Sequence, residues 1–269
     1  MIGGPLVMAS LDGSDAITVY ILHGIMGSRR NWRGFAGILQ KARPSWRLVL
    51  TDLRCHGHSR DVAGPHSLRA ASDDVWRMAQ ELGLPDRVLG HSFGGKVALQ
   101  LAQDNRESVG APWQTWVLDC PMSAVVDEAV DESEVGRVIS MLKAIPSPIT
   151  RRSDVQVYFE SVGFSRALSG WMTTNVERAA DGTFQWRFHV DGVAELLKSY
   201  WAADFYTFLE RGGSGVELVI AEQSDRWTAR ELAKVSTLET NSSIGVHRMP
   251  NAGHWLHVDD PAGLVEVLE

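Results

Sequence analysis

The chain has 269 residues, 44% of them hydrophobic and 22% charged, with a net charge of −7. That is the composition of a globular protein with ample core, and the acidic balance without a basic stripe excludes nucleic acid as an expected partner. No run of eighteen apolar residues predicts a membrane span, and the two cysteines, Cys55 and Cys120, do not make a disulfide scaffold, which points to a reducing compartment.

The N-terminal stretch MIGGPLVMASLDG lacks the charged n-region and long apolar run of a secretory signal. The expectation is a soluble intracellular protein, in the cytoplasm or in an organelle stroma or matrix. Short apolar runs then follow in order: Ile17 to Leu22, Leu48 to Asp52, Arg87 to Leu89, Thr115 to Asp119, Val216 to Ala221 and Ile244 to Met249. Several are continuously apolar rather than alternating, as parallel strands buried on both faces are. Helical patterns separate them. Leu68, Ala71, Val75, Met78 and Leu82 keep a three-to-four spacing, which Gly83 and Pro85 stop, and Lys96 to Asn105 predicts another helix. The alternation predicts an α/β protein with a mostly parallel central sheet flanked by helices.

The stretch between Asp119 and Val216 is far too long for an ordinary connection. Its pattern is helical: Val135, Val138, Ile139 and Leu142 share a face, Pro146-Ser147-Pro148 breaks it, and further short helices are expected at Ser153 to Val162, Ser165 to Thr174 and Val193 to Tyr200. RGGSG at 211 to 215 predicts a flexible return to the core. We therefore expect residues 1–120 and 212–269 to form the core and residues 121–211 a helical lid inserted between strands.

Open α/β sheets bind ligands beyond the carboxyl ends of their strands. There the sequence places His23-Gly24, Arg54-Cys55-His56, His91-Ser92, Asp119-Cys120, Ser224-Asp225 and His254. Gly90-His91-Ser92-Phe93-Gly94 is G-x-S-x-G between a strand and a helix, the pattern of a nucleophile elbow. His254, just after the last strand, is the expected base. The HGxxG loop from His23 to Gly27 and the elbow would supply the backbone N–H groups of Ile25 and Phe93 as an oxyanion hole. Two carboxylates compete as the acid. Asp119 ends its strand; Asp225 follows the next, one residue later than the usual position, where Ser224 stands. His23, His91 and Trp255 are candidate substrate-binding residues. Phe164, Leu168, Trp171, Phe205 and Phe208 make the lid apolar. His56 and His58 alternate in a loop with no third ligand and are expected to be structural, so no metal site is expected.

Together LHGIMGSRRNW, TDLRCHGHS, GHSFGGKVAL and NAGHW resemble the α/β-hydrolase fold family, and within it a small esterase branch that includes YbfF-type bacterial esterases and plant and animal relatives. That branch carries GHSMGGK at the elbow and D-x-R-N-H-G-x-S in the earlier loop. The resemblance implies an acyl-ester hydrolase with Ser92 and His254 in the catalytic roles, and it favours Asp119 over Asp225, because the branch takes its acid from the strand before the lid. Phe93 in place of Met, Cys55 in place of Asn and short N-terminal strands are departures from the pattern. The expected substrate is a small-molecule acyl ester or thioester of small to medium acyl length, cleaved without a cofactor by a monomer or homodimer. Two other functions fit the same motifs: carbon–carbon bond hydrolysis or a lyase reaction on the same triad, and a ligand sensor of slow turnover gated by the lid.

Overall fold

The computed structural model describes residues 6–8, 17–105, 113–125, 134–146, 148–212, 215–241 and 244–268. Most of MIGGPLVMASLDG, Ser147, and Gly213 and Ser214 of RGGSG lie outside the described residues. Among the described residues seven strands form one sheet in the order β1-β3-β2-β4-β5-β8-β9. They are β1 (Leu6–Met8), β2 (Ile17–Leu22), β3 (Trp46–Thr51), β4 (Arg87–His91), β5 (Gln114–Leu118), β8 (Val216–Ala221) and β9 (Gly245–Met249). Six run parallel, and the three-residue β1 pairs antiparallel with β3 at the edge.

The continuous apolar runs have a simple cause. Alternate residues of each strand point to opposite faces, and both faces are covered. Tyr20, Leu22, Val49, Val88, Val117 and Leu218 pack on one side with Val75 of α2 (Leu68–Leu82) and Val97 of α3 (Phe93–Asn105). Val19, Ile21, Leu48, Leu50, Leu89 and Trp116 pack on the other with Phe35 and Leu39 of α1 (Arg33–Ala42). Helix α2 begins where Ser67 Oγ accepts the Ala70 N–H at 3.1 Å and ends at Gly83, whose φ of 102° few other residues would adopt. The helix expected from Lys96 starts three residues earlier, at Phe93, directly behind Ser92. Several strand ends shift by one or two residues: β3 starts at Trp46 and β4 runs on to His91.

Between β5 and β8 lie α4 (Glu134–Ala144), α5 (Arg152–Ser161), α6 (Arg166–Thr174), α7 (Val190–Ala202) and α8 (Tyr206–Glu210). The all-helical expectation needs one correction. Val176–Arg178 (β6) and Phe184–Trp186 (β7) form a small antiparallel hairpin. Of the four residues expected on one α4 face, Val138 and Leu142 are buried, and the Val135 side chain lies outside what is described.

The two ends of this segment meet. Val125 N–H donates to Trp201 O at 2.8 Å, and Phe205 N–H to Met122 O at 3.0 Å. Lys96, fully buried in α3, pins the junction: its ammonium donates to the carbonyls of Ser123 (2.8 Å), Tyr200 (2.9 Å) and Ala203 (2.7 Å), with the Tyr200 ring 4.5 Å away. A buried cation is tolerable only when its donors are satisfied, and three carbonyls satisfy all three. The far side of the segment is stitched to the loop after β3 by Gly57 N–H to Arg187 O and His189 N–H to Cys55 O, both 2.8 Å.

Candidate active site

Four neighbouring strands end in a non-glycine residue with left-handed backbone: Met26 after β2 (φ 57°), Cys55 after β3 (66°), Ser92 after β4 (52°) and Asp119 after β5 (45°). Each such conformation costs about 1–3 kcal/mol, so this edge of the sheet is held in shape by everything packed against it. At the elbow, Ser92 N–H donates to Leu118 O at 3.0 Å and Gly95 N–H to Ser92 O at 2.8 Å. The flanking glycines are there because backbones touch. A Cβ on Gly90 would strike the Gly94 carbonyl, and one on Gly94 would lie 2.5 Å from the Leu22 carbonyl oxygen.

Asp119 is completely buried and accepts hydrogen bonds on both oxygens. Oδ1 takes Ala221 N–H at 3.2 Å and the Trp227 indole N–H at 2.6 Å; Oδ2 takes the Ser224 hydroxyl at 2.6 Å and His254 Nδ1 at 2.7 Å. Because the acceptor is a carboxylate, Nδ1 carries the proton and Nε2 is the basic nitrogen of a neutral His254. Asp225, the rival acid, points away: its side chain is 87% exposed and faces Arg226 at 3.4 Å. Ser224, one residue before it, is the group that reaches the site, as a donor to Asp119. Trp227 carried no sequence signal; only the folded loop brings its indole to the carboxylate.

The HGxxG loop is held from below by two buried histidines. His23 Nδ1–H donates to Gly24 O at 2.7 Å, and its Nε2 accepts Leu53 N–H at 3.0 Å. His56 Nδ1–H donates to Arg54 O at 2.8 Å, and its Nε2 accepts Met26 N–H at 2.9 Å. Burial pulls the His56 pKa down to about 3, and that of His23 below its usual value. Asp52 completes the frame, taking Arg29 N–H at 2.8 Å and His58 N–H at 3.0 Å. His56 thus has the structural role expected of it, and Ile25, partly exposed, rides on the framed loop next to Met26. Phe93, the other expected donor, opens α3. Among the described residues no group of three His, Cys, Asp or Glu could hold a metal ion.

The substrate-facing positions need revision. His23 is 1% exposed and His91 4%, and the rings of both are occupied with main-chain carbonyls. Trp255 is partly exposed, and its ring lies 5.5 Å from that of Trp171 on α6, joining the inserted segment to the residue after His254. Phe164 and Phe205 are buried inside the insertion or its base, while Leu168, Trp171 and Phe208 keep some exposure.

The model of the alpha/beta hydrolase family matches residues 19–267. The chain belongs to that family. It is 28% identical to the sn-1-specific diacylglycerol lipase ABHD11 of Mus musculus over 283 residues, covering 98% of this chain and 84% of that protein. A pimeloyl-[acyl-carrier protein] methyl ester esterase from Photorhabdus laumondii is 38% identical over 89 residues, 33% of this chain and 31% of its own. Among solved structures, a marine microorganism esterase superposes with a TM-score of 0.81 at 21% identity, covering 98% of both chains, and shares the fold. No helix among the described residues of this hydrolase is long and apolar enough to cross a membrane.

Proposed function

We propose that this alpha/beta hydrolase is a serine hydrolase of carboxylic esters or thioesters, with Ser92 as nucleophile, His254 as base and Asp119 as acid. The observation that carries the proposal is the 2.7 Å contact between His254 Nδ1 and the buried Asp119 carboxylate, at the same sheet edge as the strained turn of Ser92. In this reading His254 Nε2 takes the hydroxyl proton as Ser92 Oγ attacks the carbonyl carbon. The N–H groups of Ile25 and Phe93 hold the oxyanion, each contributing about 2.7–4 kcal/mol in the transition state. His254 passes the proton to the departing alcohol or thiol. Water, activated by the same imidazole, then releases the acid and restores Ser92. Asp119 stabilises the imidazolium in both halves, and no step calls on a cofactor.

Residues 121–211 act as a lid over a core of residues 1–120 and 212–269, and Trp171 and Trp255 form part of the wall met by the acyl group. In this reading the acyl group is of small to medium length. The printed names of the relatives, a diacylglycerol lipase and a methyl ester esterase, support ester cleavage without naming the substrate here. The test is hydrolysis of p-nitrophenyl esters from acetyl to decanoyl by wild type and Ser92→Ala. Turnover that falls by roughly 10⁴-fold or more in Ser92→Ala, with an unchanged melting temperature, is the expected result. Equal turnover by the two proteins would end the serine-hydrolase reading.

A further inference from the structure

His91 takes no part in the chemistry above, yet three parts of the site meet at its ring. It is the covalent neighbour of Ser92. Its Nε2–H donates to the main-chain carbonyl of His254 at 2.7 Å, and the two imidazoles are 4.8 Å apart. The other edge of the ring lies against the oxyanion loop: a Cβ built on Gly24 would sit 3.1 Å from His91 Nδ1 and 3.4 Å from Ser92 Cβ. Trp32 at 5.9 Å and His257 at 5.5 Å lie beside it. At 4% exposure the ring has no face left for substrate.

We infer that His91 is a positioning residue, which fixes the loop that carries the base and the loop that carries the oxyanion donor at a set spacing from the nucleophile. The inference rests on the serine-hydrolase reading. The physical case has two parts. The acceptor is a carbonyl, so the donor must be Nε2–H and the tautomer is fixed. The ring is also a rigid spacer: it passes the position of β4, where Ser92 is attached, directly to the backbone of residue 254. A hydrogen bond to the carbonyl of the base itself leaves little slack, and misplacing a catalytic group by 1 Å can cost about 10²-fold in rate. Burial keeps the ring neutral, with His254 and His257 disfavouring a second charge, so it adds no positive charge beside the imidazolium that forms at His254.

The test compares three variants on one p-nitrophenyl ester. His91→Gln keeps an N–H donor at a similar reach; His91→Met keeps the length without the donor; His91→Asn keeps a donor that is too short. Expected are a kcat within about 3-fold of wild type for Gln and a fall of roughly 30- to 100-fold for Asn and Met, with KM changed less than about 3-fold in all three. Folding is checked by thermal melting, and if Asn does not fold, the Gln and Met pair carries the comparison. Equal kcat for Gln and Met, or a folded Asn or Met variant as fast as wild type, overturns the inference. Ser92→Ala separates the two failures. Turnover that needs Ser92 but ignores His91 sinks only the positioning role, whereas turnover that does not need Ser92 sinks the hydrolase reading and the role with it.

Discussion

Removing the Asp119 carboxylate would strand four donors at once: Ala221 N–H, the Trp227 indole, the Ser224 hydroxyl and His254 Nδ1. Asp119→Asn keeps the shape, but its NH2 presents hydrogens where one of the two oxygens accepted them, and the imidazole loses its countercharge and the acceptor that fixes its tautomer. We expect kcat to fall by about 10⁴-fold in Asp119→Asn and by less than about 2-fold in Asp225→Asn, measured by steady-state ester hydrolysis of both. A large loss in Asp225→Asn would contradict the geometry. At this scale the sequence singles out Ser92 and His254, because a motif and a chain order mark them. It leaves open which carboxylate meets His254, because Asp119 and Asp225 both follow strands at the right edge and only side-chain direction, with Asp119 on His254 Nδ1 and Asp225 exposed, separates them. The expectation that His91 faces substrate meets the same limit, since only the folded ring shows where it packs. His91 is the last residue of β4 and Ser92 opens the left-handed turn after it, and the His91 ring packs between Gly24 and the main-chain carbonyl of His254.

Helices and strands follow from the sequence where burial is two-sided or the period is clear. β2 and β8 match their apolar runs residue for residue, and α2 ends at the glycine expected to end it. The β6–β7 hairpin was illegible because three-residue strands amid amphipathic helices leave no period to detect. Lys96 was equally opaque: its sequence neighbours predict a helix, and nothing local says that its ammonium crosses to the base of the insertion. Lys96→Met should strip the Ser123, Tyr200 and Ala203 carbonyls of their ammonium donor, leaving the Tyr200 carbonyl only its bond from Ala203 N–H, and lower stability by about 3 kcal/mol in urea unfolding, with faster amide exchange confined first to residues 121–125 and 200–205. Unchanged exchange there would show that the pin is dispensable. Trp171 gives a functional counterpart. Shortening it in Trp171→Ala removes one half of the contact with Trp255, and the acyl-length optimum in the p-nitrophenyl series should move to longer chains. An optimum that does not move would place the acyl wall elsewhere.

Across the whole molecule, neutral buried histidines make stability depend on pH. Burial is the main cause that holds His56 at about 3 and His257 at about 4, whereas in the unfolded chain both titrate near the ordinary value of 6.5. Between those limits the unfolded chain binds protons that the folded one refuses. Stability is therefore full above about pH 6.5 and is lost as pH falls toward 4, by roughly 1.4 kcal/mol per pH unit for each histidine. Thermal melts from pH 7.5 to 5 should show a steadily falling midpoint, and His257→Phe should flatten the slope. A midpoint that holds steady to pH 5 would mean that the folded protein accepts these protons.

The paired residues at the base of the insertion, Val125 with Trp201 and Phe205 with Met122, have a consequence for how such a protein can change. Some ninety residues leave and return through one narrow gate, between two strands that are themselves neighbours in the sheet. A gate of that kind behaves like a socket. Apart from the main-chain bonds of Gly57 to Arg187 and His189 to Cys55, what is plugged into it can vary in length with little change to the strand ends, so on the proposed function the segment that meets the substrate and the edge that carries Ser92 can change at different rates.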